Sequence, residues 1–580
     1  MRTVHRWFQS GQYSLLGHTY VPETFGRVGM IVVSPFGWED ICFYRPLRFL
    51  LKKLAENGFP ALRFDLPGSG DSSGCAFDKG LVEAWIDSIA DAAAELRAIS
   101  GVEHVAVLGI RLGGLLATVA AARGANIQDL ILWGAPASGR AELRELRAFA
   151  NMERREYATP APTPPQPDPG FEVGGFLLTP ETKRDLDALE VPDSSLGPRR
   201  VLLLSRDHIQ PDPKLVTVLE SAGCAVEQGE GFGCAALMVG THDAPIPEGT
   251  ARVMLDFLRA GPRDRTAHPA AEPATAILHE PAGGVVETVH IIQSAGRSIF
   301  GVLAEPAPSI PRADWCLLFL NAGGVRHIGP NRMWAEAARR WACRGVVSLR
   351  LDLAGIGESD GEQLLDIPGL YQERLVEQVD LAMESLRSRF GFERFAAIGL
   401  CSGAFWAFHA AIRDPRIRAA ILLNPRLFFW DPEVDRRRMR RRATKALVNW
   451  WDWYRIASGR VRLRLVKRAA RALFDTSVPI HIGRGRQIPA HNMADAWKAL
   501  ARNGTRLTLI FTEGEPLLGE MEEEGQMPPT GNSRIRCLRV ANAGHTFRPR
   551  WAQKIAHGFI DHELEAVVRE TGLGTVATAI

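Results

Sequence analysis

Short apolar runs alternate with longer amphipathic segments along the chain. In the first half the runs include MIVVS, ALRFD, HVAVLG, DLILWG and RVLLLS, and helix-length segments such as LVEAWIDSIADAAAELRAIS lie between them. Runs that are short and almost entirely apolar are typical of strands buried on both faces of a sheet. Their alternation with helices predicts an α/β fold with a mostly parallel sheet flanked by helices.

The same succession of motifs occurs twice. FPALRFDLPGSGDSSG in the first half corresponds to GVVSLRLDLAGIGESDG in the second, which sets Asp65 against Asp352 at an offset of 287 positions. HVAVLGIRLGG likewise corresponds to RFAAIGLCSGA, at an offset of 290 positions. The stretch between the copies is rich in Pro and Ala, as linkers often are. We therefore predict two related domains, over residues 1–261 and 285–580, joined by a linker over 262–284.

The segment RFAAIGLCSGAFWAFHAAI places Cys401 between a predicted strand and a predicted helix. Gly399 and Gly403 allow a tight turn that pushes the central side chain outward, and the helix N-terminus favours an anion there. A thiolate at this position can attack a carbonyl carbon and form an acyl-enzyme. A buried, inert cysteine is the alternative interpretation. Ser402 is a rival nucleophile, but its own frame lacks the preceding glycine.

With this G-x-C-x-G elbow, the D-L-x-G-x-G turn and a late histidine, the sequence resembles the α/β-hydrolase fold over about residues 10–260 and 285–570. Polyhydroxyalkanoate synthases and dienelactone hydrolases are similar in having Cys at the centre of the elbow. The resemblance implies a nucleophile, an acid and a histidine in that chain order. It also implies a lid insertion in each domain.

The resemblance assigns roles to residues of the second half. His545, in a Gly-His-x-Phe turn before the last helix, would be the general base, with His557 as the alternative. Glu515, after the strand-like segment RLTLIF, would be the acid that orients the histidine, with Glu513 as the alternative. No metal or other cofactor is expected. Backbone amides would form the oxyanion hole, and the predicted donors are Ala322, Gly323 and Ser402.

The elbow of the first half reads GIRLG and places Arg111 at the nucleophile position. An arginine stays protonated and cannot attack a carbonyl, so the first domain is predicted to be a pseudoenzyme. This elbow resembles that of exosortase-system-associated hydrolase-like proteins. His242 and Asp207 lie where the other triad members would fall. A purely structural domain, a carboxylate- or phosphate-binding site on Arg111 and an unfamiliar catalytic role all stay open.

Positive charge is concentrated in the predicted lid of the second half, about residues 428–478. The chain has 69 Lys and Arg against 66 Asp and Glu, but residues 436–471 contain 14 Lys or Arg and one acid, so the remainder sums to about −10. The segment is either a solvated lid helix or a surface for an anionic partner. An acyl carrier protein, the phosphates of coenzyme A or an anionic membrane surface would each fit. Nucleic acid is not expected.

Composition narrows the class of protein. A 46% hydrophobic content excludes wholesale disorder, and eight scattered cysteines without a CxxC motif suggest neither a zinc cluster nor a disulfide framework. Without a signal peptide or a long apolar run, the chain is expected to be cytoplasmic, at most peripheral to the inner face of the membrane. The predicted activity is acyl transfer from a small-molecule ester or thioester through Cys401. A hydrolase (thioesterase, esterase or lactonase) with the same triad and a non-catalytic scaffold are the alternatives.

Overall fold

The computed structural model describes residues 1–156, 168–192, 196, 200–237, 240, 247–261, 265–266, 276–280, 283–294, 296–361, 367–429, 492–529 and 533–570.

The first half is built on one large sheet. Its strands are β1 (Arg2–Ser10), β2 (Tyr13–Val21), β3 (Phe25–Gly26), β4 (Val28–Val33), β5 (Ala61–Phe64), β6 (His104–Ile110), β7 (Asp129–Trp133), β8 (Phe171–Val173), β9 (Phe176–Leu178), β10 (Arg200–Leu204) and β11 (Ala225–Gly229). Its helices are α1 (Trp38–Glu56), α2 (Leu81–Ser100), α3 (Leu112–Ala122), α4 (Gly139–Glu156), α5 (Pro180–Asp187), α6 (Pro213–Ser221), α7 (Cys234–Leu237) and α8 (Glu248–Arg259). The sheet order is β1-β2-β5-β4-β6-β7-β10-β11, antiparallel up to β5 and parallel from there on. Strands β8 and β9 form a separate hairpin.

The second half repeats this arrangement. Its strands are β14 (Gly283–Ser294), β15 (Arg297–Pro306), β16 (Trp315–Leu320), β17 (Val347–Leu351), β18 (Arg394–Leu400), β19 (Ile417–Leu423), β20 (Arg506–Thr512) and β21 (Ile535–Val540). Its helices are α9 (Met333–Ala342), α10 (Ile367–Leu370), α11 (Glu373–Phe390), α12 (Ser402–Arg413), α13 (Met493–Asn503), α14 (Pro516–Glu523) and α15 (Arg550–Glu570). The order β14-β15-β17-β16-β18-β19-β20-β21 matches that of the first sheet strand for strand. The predicted pair of α/β domains is confirmed.

Two short strands lie within the stretch predicted to be a linker. β12 (Arg265–Thr266) pairs with β3 of the first half, and β13 (Ala276–Glu280) adds an edge strand to the second sheet beside β14. The second sheet thus begins before residue 285.

Burial explains the apolar runs of the sequence. Every residue of β4 and of β16 is buried, as strands covered by helices on both faces require. The two sheets therefore supply the cores of the two halves, and the loops at the carboxyl ends of their parallel strands carry the residues of interest.

The two halves meet through their D-x-x-G-x-G turns. His327 of the second half donates from Nε2 to a carboxylate oxygen of Asp71 of the first half at 2.7 Å, and from Nδ1 to Asp352 of its own half at 2.8 Å. Arg326 pairs with Asp65 across the same interface, at 2.8 Å. All of these side chains are buried. Buried charges require partners, so this network fixes the halves against each other rather than leaving them tethered by a linker.

Candidate active site

Cys401 lies at the turn between β18 and α12, as predicted. Its backbone adopts φ 57° and ψ −111°, a conformation that non-glycine residues rarely take. The flanking glycines make the turn possible, because a Cβ on Gly403 would come within 2.3 Å of the Asn321 carbonyl oxygen. A Cβ on Gly399 would come within 2.2 Å of Gly403. Close packing of the turn thus places the half-buried Cys401 side chain at the carboxyl end of the sheet.

His545 and Glu515 are brought together at the same edge. His545 Nδ1 lies 2.7 Å from Glu515 Oε1, and the Glu515 side chain is only 8% exposed. Glu513, the alternative acid, is exposed and accepts a hydrogen bond from the Asn542 amide instead. The geometry therefore favours Glu515 as the partner of the histidine.

The thiol and the imidazole polarise each other. Burial raises the pKa of the Cys401 thiol. Its interaction with His545 and the charge of Arg426 lower the pKa by more than that, so the net value lies below the usual range of a cysteine. Burial lowers the pKa of His545, but Cys401 and Glu515 raise it to about 10. His545 Nε2 is buried and has no hydrogen-bond partner of good geometry in the described part of the chain, although the imidazole and the thiol interact electrostatically. Such contacts commonly tighten only when substrate binds.

Three residues near the thiol were not found from the sequence. Tyr371, between α10 and α11, interacts with the Cys401 thiol and lowers its pKa. Asn424, directly after β19, donates to the His545 carbonyl oxygen at 2.7 Å and so supports the histidine loop. Arg426 is exposed and contributes positive charge. All three lie in loops, where side-chain direction leaves no periodic signal in the sequence.

The predicted oxyanion-hole residues lie beside Cys401 but are not equivalent. The Gly323 amide donates to Ser402 Oγ at 2.9 Å, so it already has an acceptor. Within the described residues, the amides of Ala322 and Ser402 donate no hydrogen bond. Of the three predicted donors, these two amides are therefore the ones without an acceptor in this part of the chain.

Ser402, the rival nucleophile, and His557, the alternative base, lie in environments that do not favour these roles. Ser402 is fully buried, and its hydroxyl oxygen is occupied by the Gly323 amide. His557 lies on α15, where burial lowers its pKa to about 4. Neither interacts with the pair formed by His545 and Glu515 in the described residues.

Arg111 occupies the same turn in the first half, with φ 54° and ψ −124°. Its side chain is 3% exposed and pairs with Glu145 at 2.7 Å, Glu142 at 3.3 Å and Glu39 at 3.4 Å. Burial raises the pKa of Glu142 to about 7 although Arg111 opposes this. The guanidinium is thus surrounded by carboxylates of the chain itself, and this geometry does not favour a site for an external carboxylate or phosphate.

Of the other predicted features, the structure describes Asp207 but not His242 or the basic segment. Asp207 turns its carboxylate to the amides of Gly233 and Ala235 rather than to Arg111. His242 lies outside the described residues, and so does the basic segment 436–471 with nearly all of the predicted lid. Among the described residues, no helix is both long and apolar enough to span a membrane.

One cluster has the composition of a metal site. His5, His18 and Glu358 each place a ligand atom within 4.8 Å of the others. However, Glu358 already pairs with Arg63 and Arg48 and accepts hydrogen bonds from Tyr20 and Tyr44. The charge of Glu358 is therefore balanced by arginines of the chain itself. We interpret the cluster as part of the interface between the two halves.

Comparison with known proteins agrees with this architecture. A family model described as alpha/beta hydrolase fold matches residues 37–210, and one described as serine aminopeptidase, S33, matches residues 317–511. No curated protein matches the chain at a significant level.

Solved structures each align with about half of the chain. An α/β hydrolase from Penicillium sp. sh18 is 17% identical, with a TM-score of 0.33, and covers 49% of this chain and 98% of its own. The thioesterase domain of the curacin biosynthetic pathway is 15% identical, with a TM-score of 0.29, and covers 47% and 98%. An esterase from Pyrococcus furiosus is 14% identical, with a TM-score of 0.33, and covers 49% and 90%. The chain consists of two tandem domains of the α/β-hydrolase fold.

Proposed function

We propose that the second half catalyses acyl transfer through a covalent acyl-enzyme on Cys401. The observation that carries this proposal is the arrangement of the thiol at a strained elbow, next to His545, whose Nδ1 bonds to Glu515 at 2.7 Å. A nucleophile, a base and a residue that orients the base are the parts that acyl transfer needs.

The chemistry follows from the protonation states of this triad. The Cys401 thiolate attacks the carbonyl carbon of an ester or thioester, and the carbonyl oxygen becomes an oxyanion that the amides of Ala322 and Ser402 can stabilise. When the intermediate collapses, the bond to the leaving group breaks and His545 Nε2–H protonates that group. In the second step, His545 takes the proton of an alcohol or amine acceptor, which attacks the thioester and releases the thiolate.

Hydrolysis with the same triad is the second candidate. Both matching family models describe hydrolase-type proteins, and water in place of the acceptor would complete the same two steps. The distinction between the two candidates lies in the acceptor alone. It can therefore be measured by the partition of one acyl-enzyme between water and added alcohols or amines.

Intact-mass measurement after incubation with an activated acyl thioester tests the proposal. We expect one acyl adduct on the wild-type chain and none on Cys401→Ala. Cys75→Ala is the matched control, because Cys75 is an exposed thiol on the first half. Absence of an adduct on the folded wild-type chain, with any of a series of acyl lengths, would refute the enzyme proposal and leave the non-catalytic scaffold.

The source of the acyl group is a further part of the proposal. The 14 basic residues of segment 436–471 support an anionic donor such as an acyl carrier protein or coenzyme A, or an anionic membrane surface. Acylation by an acyl-coenzyme A should then slow as ionic strength rises, whereas acylation by a short neutral thioester should not. Equal salt dependence for both donors would argue for a merely solvated segment.

A further inference from the structure

The loop that carries His545 is supported from two sides. On one side Asn424, from the second half itself, donates to the His545 carbonyl oxygen at 2.7 Å. On the other side the chain reaches Arg548, three residues later, whose contacts lie largely with the first half of the molecule.

The Arg548 side chain is clamped by two helices of the first half. Its Nη1 donates to Glu153 Oε1 on α4 at 2.8 Å, and both side chains are largely buried, at 17% and 14% exposure. Its guanidinium also stacks on the ring of Trp38, at the start of α1, at 3.8 Å from the centroid. A largely buried ion pair combined with a cation–π contact restrains an arginine more than an exposed pair does.

The hairpin of β8 and β9 packs closely against the Arg548 backbone. Gly175 lies in its turn with φ 83°, and a Cβ there would come within 2.2 Å of the Arg548 carbonyl oxygen. Gln553 joins the two, since its Nε2 donates to the Gly175 carbonyl at 3.0 Å and to the Arg548 carbonyl at 2.6 Å. The hairpin thus approaches so closely that only glycine fits.

We propose that the first half is a positioning device for the catalytic histidine of the second half. Glu153, Trp38 and Gly175 fix Arg548, and this keeps the His545 imidazole close enough to the Cys401 thiol to lower its pKa. The inference rests on the proposed function of the triad. It gives the domain without a nucleophile a direct role in the activity of its neighbour, as a source of positioning residues rather than catalytic ones.

The rate of Cys401 alkylation by iodoacetamide as a function of pH tests the proposal, with the modified peptide identified by mass. The imidazole lowers the pH at which the thiol ionises, so displacement of His545 moves the midpoint up toward that of a free cysteine, near 8.5. We expect Gly175→Ala to raise the midpoint and to lower alkylation at pH 6 about tenfold or more. Glu153→Gln should shift the midpoint in the same direction by a smaller amount.

Two matched controls separate positioning from general damage. Gly124→Ala also replaces a first-half glycine of positive φ, but no atom lies within 4 Å of the new Cβ. Glu103→Gln removes an acid from an exposed ion pair with Arg27. Both controls should keep the wild-type midpoint.

The outcomes are distinct. A wild-type midpoint in folded Glu153→Gln and Gly175→Ala would overturn the positioning role while leaving the triad intact. If Gly175→Ala does not fold, the Glu153→Gln midpoint decides alone. A midpoint near 8.5 in the wild type itself would instead refute the triad on which the proposal rests.

Discussion

We expect the His327 side chain to contribute strongly to the stability of the interface between the two halves. It is fully buried between Asp71 of the first half and Asp352 of the second. Burial lowers the pKa of this histidine, but the two carboxylates raise it from 6.5 to about 9. At neutral pH the side chain is therefore an imidazolium that neutralises one of two buried negative charges.

The size and sign of its contribution follow from that pKa. A folded-state pKa raised from 6.5 to about 9 corresponds to about 3 kcal/mol of stability. Because the folded-state value is the higher one, this stability is fully present below pH 6.5 and is lost as the pH rises through 9. Removing one partner of a buried pair typically costs about 3–5 kcal/mol, which agrees in order of magnitude.

The perturbation is His327→Gln, which keeps an amide donor but removes the charge. We expect its free energy of unfolding to fall by about 3 kcal/mol at pH 6 and by little at pH 10. At 2–4 °C per kcal/mol for a domain of this size, thermal denaturation should show a decrease in Tm of roughly 6–12 °C at pH 6. His208→Gln, at an exposed position, is the control. A wild-type Tm at pH 6, or a decrease that is equally large at pH 10, would refute the reasoning.

Three further predictions concern the two elbows. Glu515→Gln should lower the rate of Cys401 acylation on the order of 100-fold, whereas Glu513→Gln should leave that rate nearly unchanged. If Glu513→Gln has the larger effect on the rate, Glu513 is the acid of the triad. Arg111→Met should destabilise the first half by about 3–5 kcal/mol in urea unfolding, because it leaves buried carboxylates unpaired, and a variant as stable as wild type would contradict this. Arg426→Gln should slightly raise the pH midpoint of Cys401 alkylation at low salt. Because the Arg426 guanidinium is exposed, 0.5 M salt should raise the wild-type midpoint by a similar amount, and a wild-type midpoint that does not change with salt would contradict this prediction.

The fold could be predicted from the sequence because its signals are local. Buried parallel strands are short apolar runs, and the glycines of each elbow mark a turn that tolerates no Cβ. Duplication then let each motif of one half identify its counterpart in the other. The order of nucleophile, acid and histidine followed from the resemblance, and the contact between His545 and Glu515 agrees with it.

The interface could not be predicted because it consists of charged residues that usually lie at the surface. Asp71, Arg326 and His327 are buried where the two halves meet, and each pairs with a charged residue of the other half. One signal was present in the sequence: Arg63 and Arg350 each interrupt an otherwise apolar strand, ALRFD and SLRLD. Both are almost completely buried. A cation in such a position requires a buried anion, and so it indicates a partner surface.

The replacement at the first elbow has a physical explanation that links it to the second. A strained turn persists in both halves because its glycines are packed against neighbouring backbone, whatever side chain stands at its tip. At Cys401 that side chain faces a histidine, whereas at Arg111 it faces carboxylates, two of which, Glu142 and Glu145, belong to α4. The arginine thus binds α4 to the carboxyl edge of the first sheet, and α4 also carries Glu153, the partner of Arg548. On this reasoning, α4 connects the arginine of the first elbow to Arg548, which lies three residues after His545.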